Sequence, residues 1–319
     1  MKWFSPADAA KKWGLAEQTI RRYCRKGLIP EAVQSNNSWL LPYSAKCPVK
    51  CNYYLNAIPP LLGKLIKQKK TLIKGLYNYI QINMAYSSSR MASNRLTRNH
   101  VECLYRSGRL LATNESMKLN DYIEVRNHFL CVEKIIDEGI HPLNITYILN
   151  LHKMLFSDIC GHKNKPNETG KFRTGNCESG FDCYLPANEV RSHLSDLLSN
   201  YEDLKHITLY EILDLHVQFE RIRPFEDGNG RIGRLIILKE CLRHNITPFI
   251  IDDKRRFEYL RGIRDWDEDP TLLHDLCREC QSRFLSQIEL QELLDSHSRI
   301  MRQFKRELFI NQLIKQKAL

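Results

Sequence analysis

Residues 216–234 read HVQFERIRPFEDGNGRIGR, and this stretch decides the fold and most of the function. It opens as a helix, breaks at Pro224, turns through a glycine-rich loop and enters a second helix carrying Arg231 and Arg234. A loop of Gly228, Asn229 and Gly230 leading into a helix N-terminus is a ready anion site, because unbonded backbone N–H groups point outward and the helix dipole favours negative charge there. Glycine permits the tight turn and a close approach of the backbone to phosphate. Asp227 sets a carboxylate beside the site, as a magnesium ion bridging phosphates requires. Arg231 and Arg234 stand three residues apart, near one helix face, and can fork onto phosphate oxygens.

Arg223-Pro224-Phe225-Glu226-Asp227-Gly228-Asn229-Gly230-Arg231-Ile232-Gly233-Arg234 resembles the signature of the Fic family, His-x-Phe-x-Asp/Glu-Gly-Asn-Gly-Arg-x-x-Arg. Every specified position matches except the first, where Arg223 replaces the family's catalytic histidine. The resemblance implies AMP transfer from ATP, with magnesium, onto a Ser, Thr or Tyr hydroxyl of another protein. It makes Phe225, Asp227, Gly228, Asn229, Gly230, Arg231 and Arg234 the nucleotide-binding set, with Asp227 as the metal ligand. The family histidine takes the proton of the attacking hydroxyl, a task imidazole suits near neutral pH. Guanidinium stays protonated and offers only donors, so Arg223 does not act as the base. Nucleotide binding is expected to survive and transfer to be strongly reduced. His216, seven residues earlier, reads as a packed scaffold histidine or a substitute base.

Residues 88–97, SSRMASNRLT, carry a second likeness, to the family's inhibitory helix, Ser/Thr-x-x-x-Glu-Gly/Asn followed by Asn-x-Leu-Thr. Ser88, Asn94, Leu96 and Thr97 fit, whereas Ala92 stands at the glutamate position and Ser93 at the glycine position. In the family that glutamate pairs with the second motif arginine, here Arg234; Ala92 cannot. The chain thus lacks both the brake and the base, as a naturally degenerate protein or a selected, disarmed form would.

Residues 170–186 alternate and turn in the manner of a β-hairpin, the family's target-aligning flap. Arg173 and Tyr184 lie in it, with target contact and hairpin packing both open. Tyr259 falls where a family tyrosine often lies by the adenine.

The 319 residues suffice for two domains, and 43% hydrophobic with 27% charged residues fit a globular chain. With no apolar run of membrane-spanning length and no signal-like N-terminus, a cytoplasmic location is expected. The net charge of +11 suits polyanionic partners or a plain solvated surface. Eleven cysteines, an odd number, fit reduced thiols. Cys277 and Cys280, with Cys47 and Cys51, could hold zinc in principle, but the pairs are far apart and helix packing is the better reading.

Residues 1–42 form a second unit. Ser5-Pro6 starts one helix, Gly14 breaks it, and a second runs from about Ala16 to Lys26 before Gly27. This is a helix-turn-helix pattern that resembles the winged modules of excisionase and MerR-type proteins, with residues 32–42 as a hairpin wing turning at Asn36-Asn37 and anchored by Trp39. Gln18, Thr19, Arg21, Arg22 and Arg25 lie on the second helix, and residues 1–42 hold seven basic against three acidic side chains. Duplex DNA is the expected partner, and a protein-docking adaptor is the alternative. A homodimer would strengthen weak single-module binding.

The expected architecture is mainly α: a small winged helix-turn-helix domain at 1–42, a linker at 43–62, an all-helical Fic-like nucleotide-binding domain with a short β-hairpin flap at 63–285, and a helical extension at 286–319. Helical spacing of apolar residues marks 63–82, 98–112, 119–138, 143–157, 188–204, 208–221, 231–244 and 271–288. Three functions remain open at this level. One is a protein adenylyltransferase with impaired transfer, acting on an unidentified protein. Another is a catalytically inactive regulator that senses nucleotide and binds DNA. The third is an enzyme of altered phosphate chemistry.

Overall fold

The computed structural model describes residues 3–13, 17–25, 29, 32–35, 38–42, 45, 58–71, 75–111, 117–159, 169–175 and 185–290. The N-terminal unit has strand β1 (Trp3–Phe4), helices α1 (Pro6–Trp13) and α2 (Glu17–Arg25), and strands β2 (Val33–Ser35) and β3 (Ser38–Pro42). Ser5 caps α1: its Oγ accepts from the Asp8 N–H at 3.1 Å, while the Asp8 carboxylate accepts from the Ser5 N–H and hydroxyl. The expected hairpin forms, with β2 antiparallel to β3 in the register Val33↔Leu40, Gln34↔Trp39 and Ser35↔Ser38. Its turn residues, Asn36 and Asn37, lie outside the described residues. Unexpectedly, β1 pairs on the other edge of β3 and completes a three-stranded sheet, order β1-β3-β2. Phe4, Ala9, Ile20, Cys24, Ile29 and Leu41 form a small core of their own, with Trp39 packed against it.

The remaining described elements are helical. They are α3 (Pro60–Thr71), α4 (Leu76–Met91), α5 (Arg98–Ser107), α6 (Leu119–Asp137), α7 (Ile145–Leu155), α8 (Val190–Glu202), α9 (Leu209–Ile222), α10 (Asn229–Arg243), α11 (Arg256–Arg264) and a last helix over 271–290, α12. Helix α11 falls where no helix was expected, and two boundaries also differ from expectation. The 63–82 periodicity spans a break: α3 begins at Pro60, inside the expected linker, and buries Leu62 and Leu65 in the main core. Gly75 then resets the chain in extended geometry, and the Gln68 side chain accepts from the Tyr77 N–H at 2.9 Å, capping α4 from outside. Periodicity does not see the break because apolar spacing resumes in phase across it. The 98–112 helix stops at Ser107, since Gly108 takes a left-handed cap at φ +65°.

Helix α10 is the axle of the fold. Thirteen of its residues are buried, from Asn229 to Leu242, so it is covered on every side. Its apolar positions Ile232, Leu235, Ile236 and Leu238 join the larger core, and Ile237 and Cys241 join a second one beneath α11 and α12. Cys277 and Cys280 belong to that second core as packing residues. The buried Lys239 Nζ donates to Glu240 at 3.0 Å and to the His141 carbonyl at 2.5 Å. Burial pushes the Glu240 carboxyl up, but Lys239 and Arg243 outweigh it and hold it below the usual carboxylate range. An axle fixed this firmly holds its N-terminus, and so the glycine-rich loop, in one place.

Among the described residues no helix is long and apolar enough to cross a membrane.

Candidate active site

Helix α9 ends because Arg223 adopts a left-handed conformation, φ +46° and ψ 66°, and Pro224 cannot continue the helix. The chain then folds back through Phe225–Gly228 into α10. Asn229 ties this loop: its Oδ1 accepts from the Phe225 N–H at 2.9 Å and its Nδ2 donates to the Phe225 carbonyl at 2.8 Å. Phe225 is 1% exposed and stacks on the His152 ring, centroids 3.8 Å apart. His152 Nδ1 accepts from the Gly170 N–H at 2.9 Å, so Nε2 carries the proton it gives the Asp227 carbonyl at 3.1 Å. The loop therefore rests on a shelf of His152 and Phe156. Gly228, at φ +87°, lies so close to that shelf that a Cβ would stand 2.5 Å from the Phe156 ring.

No side chain caps α10. The N–H groups of its first turn have no intrahelical acceptor, and the helix dipole lies behind them, as an anion requires. The Asp227 carboxylate, about a third exposed, accepts from the Gly228 N–H and lies 2.9 Å from Arg231. Among the described residues no three His, Cys, Asp or Glu converge to hold a metal. One carboxylate beside a phosphate site is nevertheless a donor set that magnesium accepts when phosphates supply the other ligands. The residues present thus fit magnesium carried with a nucleotide, and Asp227 would hold it.

Both motif arginines are buried and already engaged. Arg231 reaches Glu124 on α6 and Asp227, each at 2.9 Å, and lies over the Phe156 ring at 4.8 Å. Arg234 donates through Nε to Ser88 Oγ at 3.1 Å and through Nη2 to the Ser88 carbonyl at 3.0 Å. Ala92 offers Arg234 no carboxylate to pair with. Instead the guanidinium turns to Ser88, one helical turn back on α4, where hydroxyl and carbonyl together satisfy it. Ala92 itself is the C-cap of α4, Ser93 follows at φ +72°, and buried Asn94 donates to the Asp121 carbonyl at 3.0 Å. Leu96 is buried and Thr97 caps α5.

Tyr259 and Arg173 are both buried. Tyr259 is 1% exposed, with its hydroxyl 2.6 Å from His216 Nε2 and its ring beneath the Arg234 guanidinium. It packs the inner side of α10 and presents no face to an adenine in this arrangement. His216 is its partner, fully buried with its pKa pushed to about 3 by burial and by Arg234, which makes it a scaffold histidine rather than a base. Arg173 is 4% exposed. Its guanidinium donates to the carbonyls of Arg223 (2.8 Å), Gly175 (2.9 Å), Leu185 (2.6 Å) and Ile222 (3.5 Å), and its N–H donates to Pro224. Glu226 accepts from the Thr174 and Gly175 N–H groups. Arg173 therefore clamps the 170s segment to the loop, its guanidinium turned onto backbone carbonyls. Tyr184 and most of the expected flap lie outside the described residues.

Three residues that sequence reading passed over complete the site: Glu124 opposite Arg231, His152 under the loop, and Glu220 behind it. None sits in a short motif, and only the tertiary fold brings them to residues 223–234. On α2, Gln18, Arg22 and Arg25 are exposed along one face, opposite buried Ile20 and Cys24. Thr19 and Arg21 are half-buried, and Arg21 is bound to Glu17 at 2.7 Å.

Comparison with known proteins agrees with this geometry. The chain is similar to the protein adenylyltransferase fic-1 of Caenorhabditis briggsae, 23% identical over 201 residues, covering 61% of this chain and 38% of that one. It is also similar to the protein adenylyltransferase Fic of Drosophila willistoni, 27% identical over 158 residues, covering 47% and 30%. It thus spans well under half the length of either relative. Among solved structures, a Fic domain containing signaling protein from Bacteroides thetaiotaomicron superposes with a TM-score of 0.58 at 20% identity, covering 72% of this chain and 94% of that one. Fic-1 from Caenorhabditis elegans superposes with a TM-score of 0.56 at 16% identity, covering 73% and 70%. Residues 142–241, which contain the loop and its helix, match the Fic/DOC family and form a Fic/DOC family domain.

Proposed function

We propose that this chain binds ATP with magnesium at residues 225–234 and descends to a protein adenylyltransferase whose transfer step lacks its base. The observation that carries the reading is the uncapped N-terminus of α10 behind Gly228, with Asp227 on one side and two buried arginines on the other. In such a site the first-turn amides would hold phosphate oxygens and Asp227 would hold the metal. Bound magnesium would supply charge neutralisation on the phosphates. Arg231 and Arg234 are within reach of the same anion once they exchange their present partners. Phosphoryl chemistry depends mostly on such positioning and charge stabilisation. The missing function is proton removal from an acceptor hydroxyl, which Arg223 cannot perform. His216 does not replace it, since the ring is sealed against Tyr259.

The test is transfer of label from α-phosphate-labelled ATP with magnesium to lysate protein, by this chain and by Arg223→His. Labelling by the histidine form alone, with ATP bound by both, is the expected result. Labelling by the chain as it stands would overturn the assignment of the base and favour altered chemistry.

A second reading is a nucleotide-responsive, DNA-binding regulator. It is favoured by the separate core of the N-terminal unit and by the exposed face of Gln18, Arg22 and Arg25, which projects two guanidinium groups. Duplex affinity that falls with salt and is lost in Arg22→Glu/Arg25→Glu supports it. Salt-insensitive or absent binding removes DNA as the partner. Cooperative binding to a two-fold site would identify a homodimer as the acting form.

A further inference from the structure

Glu220 is the buried acid that the reading above does not use. It projects from the last turn of α9, is 7% exposed, and its Oε1 has no hydrogen-bond partner among the described residues. A buried carboxyl without a partner is costly, and its persistence calls for a reason. Its surroundings supply one. The oxygen lies 3.5 Å from the point where a Cβ on Gly230 would stand, and Arg234 Nη1 lies 3.0 Å from that same point. The two groups are thus separated by no more than the sum of those distances, with Gly230 leaving the space between them open. They are not an ion pair here, because Arg234 is drawn to Ser88 on α4.

We propose that Glu220 is a second seat for Arg234, an internal carboxylate that takes the guanidinium when it leaves Ser88 and so competes with phosphate for it. This rests on the reading that residues 225–234 bind ATP. It assigns to α9 a restraint on Arg234 that Ala92 no longer supplies from α4. Rotation of the Arg234 side chain is enough to move between the seats, since its Nη1 and Glu220 Oε1 flank the same open point beside Gly230. The groups facing Glu220 are Arg234 of α10, Arg223 at the end of α9, and the His216 and Tyr259 pair behind it. Burial raises the Glu220 pKa, and the two arginines oppose the rise. As the pH falls the carboxyl takes a proton, its hold on Arg234 weakens, and the arginine becomes available to phosphate.

The experiment is ATP–magnesium binding by titration calorimetry at several pH values, on the full chain, Ser88→Ala, Glu220→Gln and the double variant. Ser88→Ala removes the hydroxyl half of the first seat, leaving only the backbone carbonyl, and so biases Arg234 toward Glu220. Adding Glu220→Gln to it is expected to tighten ATP binding about tenfold at pH 8, with the gain shrinking as the pH is lowered and the carboxyl takes its proton. Measuring the ratio between the two proteins at each pH cancels the titration of ATP itself. Glu220→Leu, which also removes the charge, should reproduce the gain if glutamine perturbs packing. Unchanged or weaker binding in both Glu220 variants, while the Ser88→Ala protein binds ATP, would overturn the proposal. Absence of ATP binding by all forms would instead overturn the nucleotide reading on which it stands.

Discussion

Gly228→Ala separates a built anion loop from an ordinary turn. Two costs add at this position. Gly228 sits at φ +87°, where an L-residue is strained by about 1–2 kcal/mol. Its new methyl would also stand 2.5 Å and 2.8 Å from two carbons of the Phe156 ring. The ring is 2% exposed and wedged between His152 and Arg231, so it cannot swing away, and forced overpacking of this kind costs about 1–3 kcal/mol. The expected loss is therefore about 2–5 kcal/mol by urea unfolding. Gly108→Ala is the control, with φ +65° but nothing within 4 Å of its Cβ, so it bears only the backbone cost of about 1–2 kcal/mol. Phe156→Leu should recover the steric part, appearing as a favourable coupling of about 1–3 kcal/mol in the double-mutant cycle. Equal losses for Gly228→Ala and Gly108→Ala, with no coupling to Phe156, would refute the close seating of the loop on its aromatic shelf.

Other perturbations probe the scaffold around that loop. Arg173→Leu strips donors from carbonyls at 222, 223, 175 and 185 and should cost about 3 kcal/mol or more in urea unfolding; a neutral result would return Arg173 to a target-facing role. His128 and His216 are both buried with pKa values near 3, depressed first by burial and then by the motif arginines. Above pH 6.5 both rings are neutral whether the chain is folded or not, so they leave stability unchanged there. As pH falls from 6.5 toward 3 the unfolded chain binds protons that the folded chain refuses, and stability drops steadily. His128→Leu should flatten that acid limb in unfolding measured from pH 7 to 4, and an unchanged slope would show that the ring is not held neutral.

The loop was legible because its chemistry is local. Gly228, Asn229 and Gly230 announce a turn into a helix N-terminus, and nothing distant is needed to place the amides. Most helices were legible for a similar reason, with boundary errors where one residue overrode the period, as Gly75 and Gly108 do, but α11 (Arg256–Arg264) was not among the expected spans. Partners were not legible. Arg234 was read as a phosphate ligand released by the loss of a glutamate, yet its partner is Ser88, 146 positions away in sequence. For Arg173 target contact and hairpin packing were both open; only the fold shows the carbonyls that surround it. Tyr259 was placed near the loop, but a helical residue has two sides, and its side is the inner one. Long-range burial decides such roles, and short motifs carry no record of it.

Position 223 illustrates why fold and chemistry can be tested apart. Its backbone is left-handed, a conformation that is costly for a non-glycine residue and persists only when its surroundings impose it. They do: the Arg223 N–H donates to the Phe219 carbonyl, its own carbonyl accepts from Arg173, and Pro224 fixes the chain that follows. None of these restraints involves the side chain, which is half-buried at the mouth of the loop. Arg223→His should therefore leave stability within about 0.5 kcal/mol, since substitutions away from packing and backbone features rarely exceed that. A large gain of transfer with unchanged unfolding would then report proton removal alone. If Arg223→His instead shifted the unfolding midpoint substantially, the guanidinium would be part of the scaffold, and its charge against Glu220 would be the first interaction to examine.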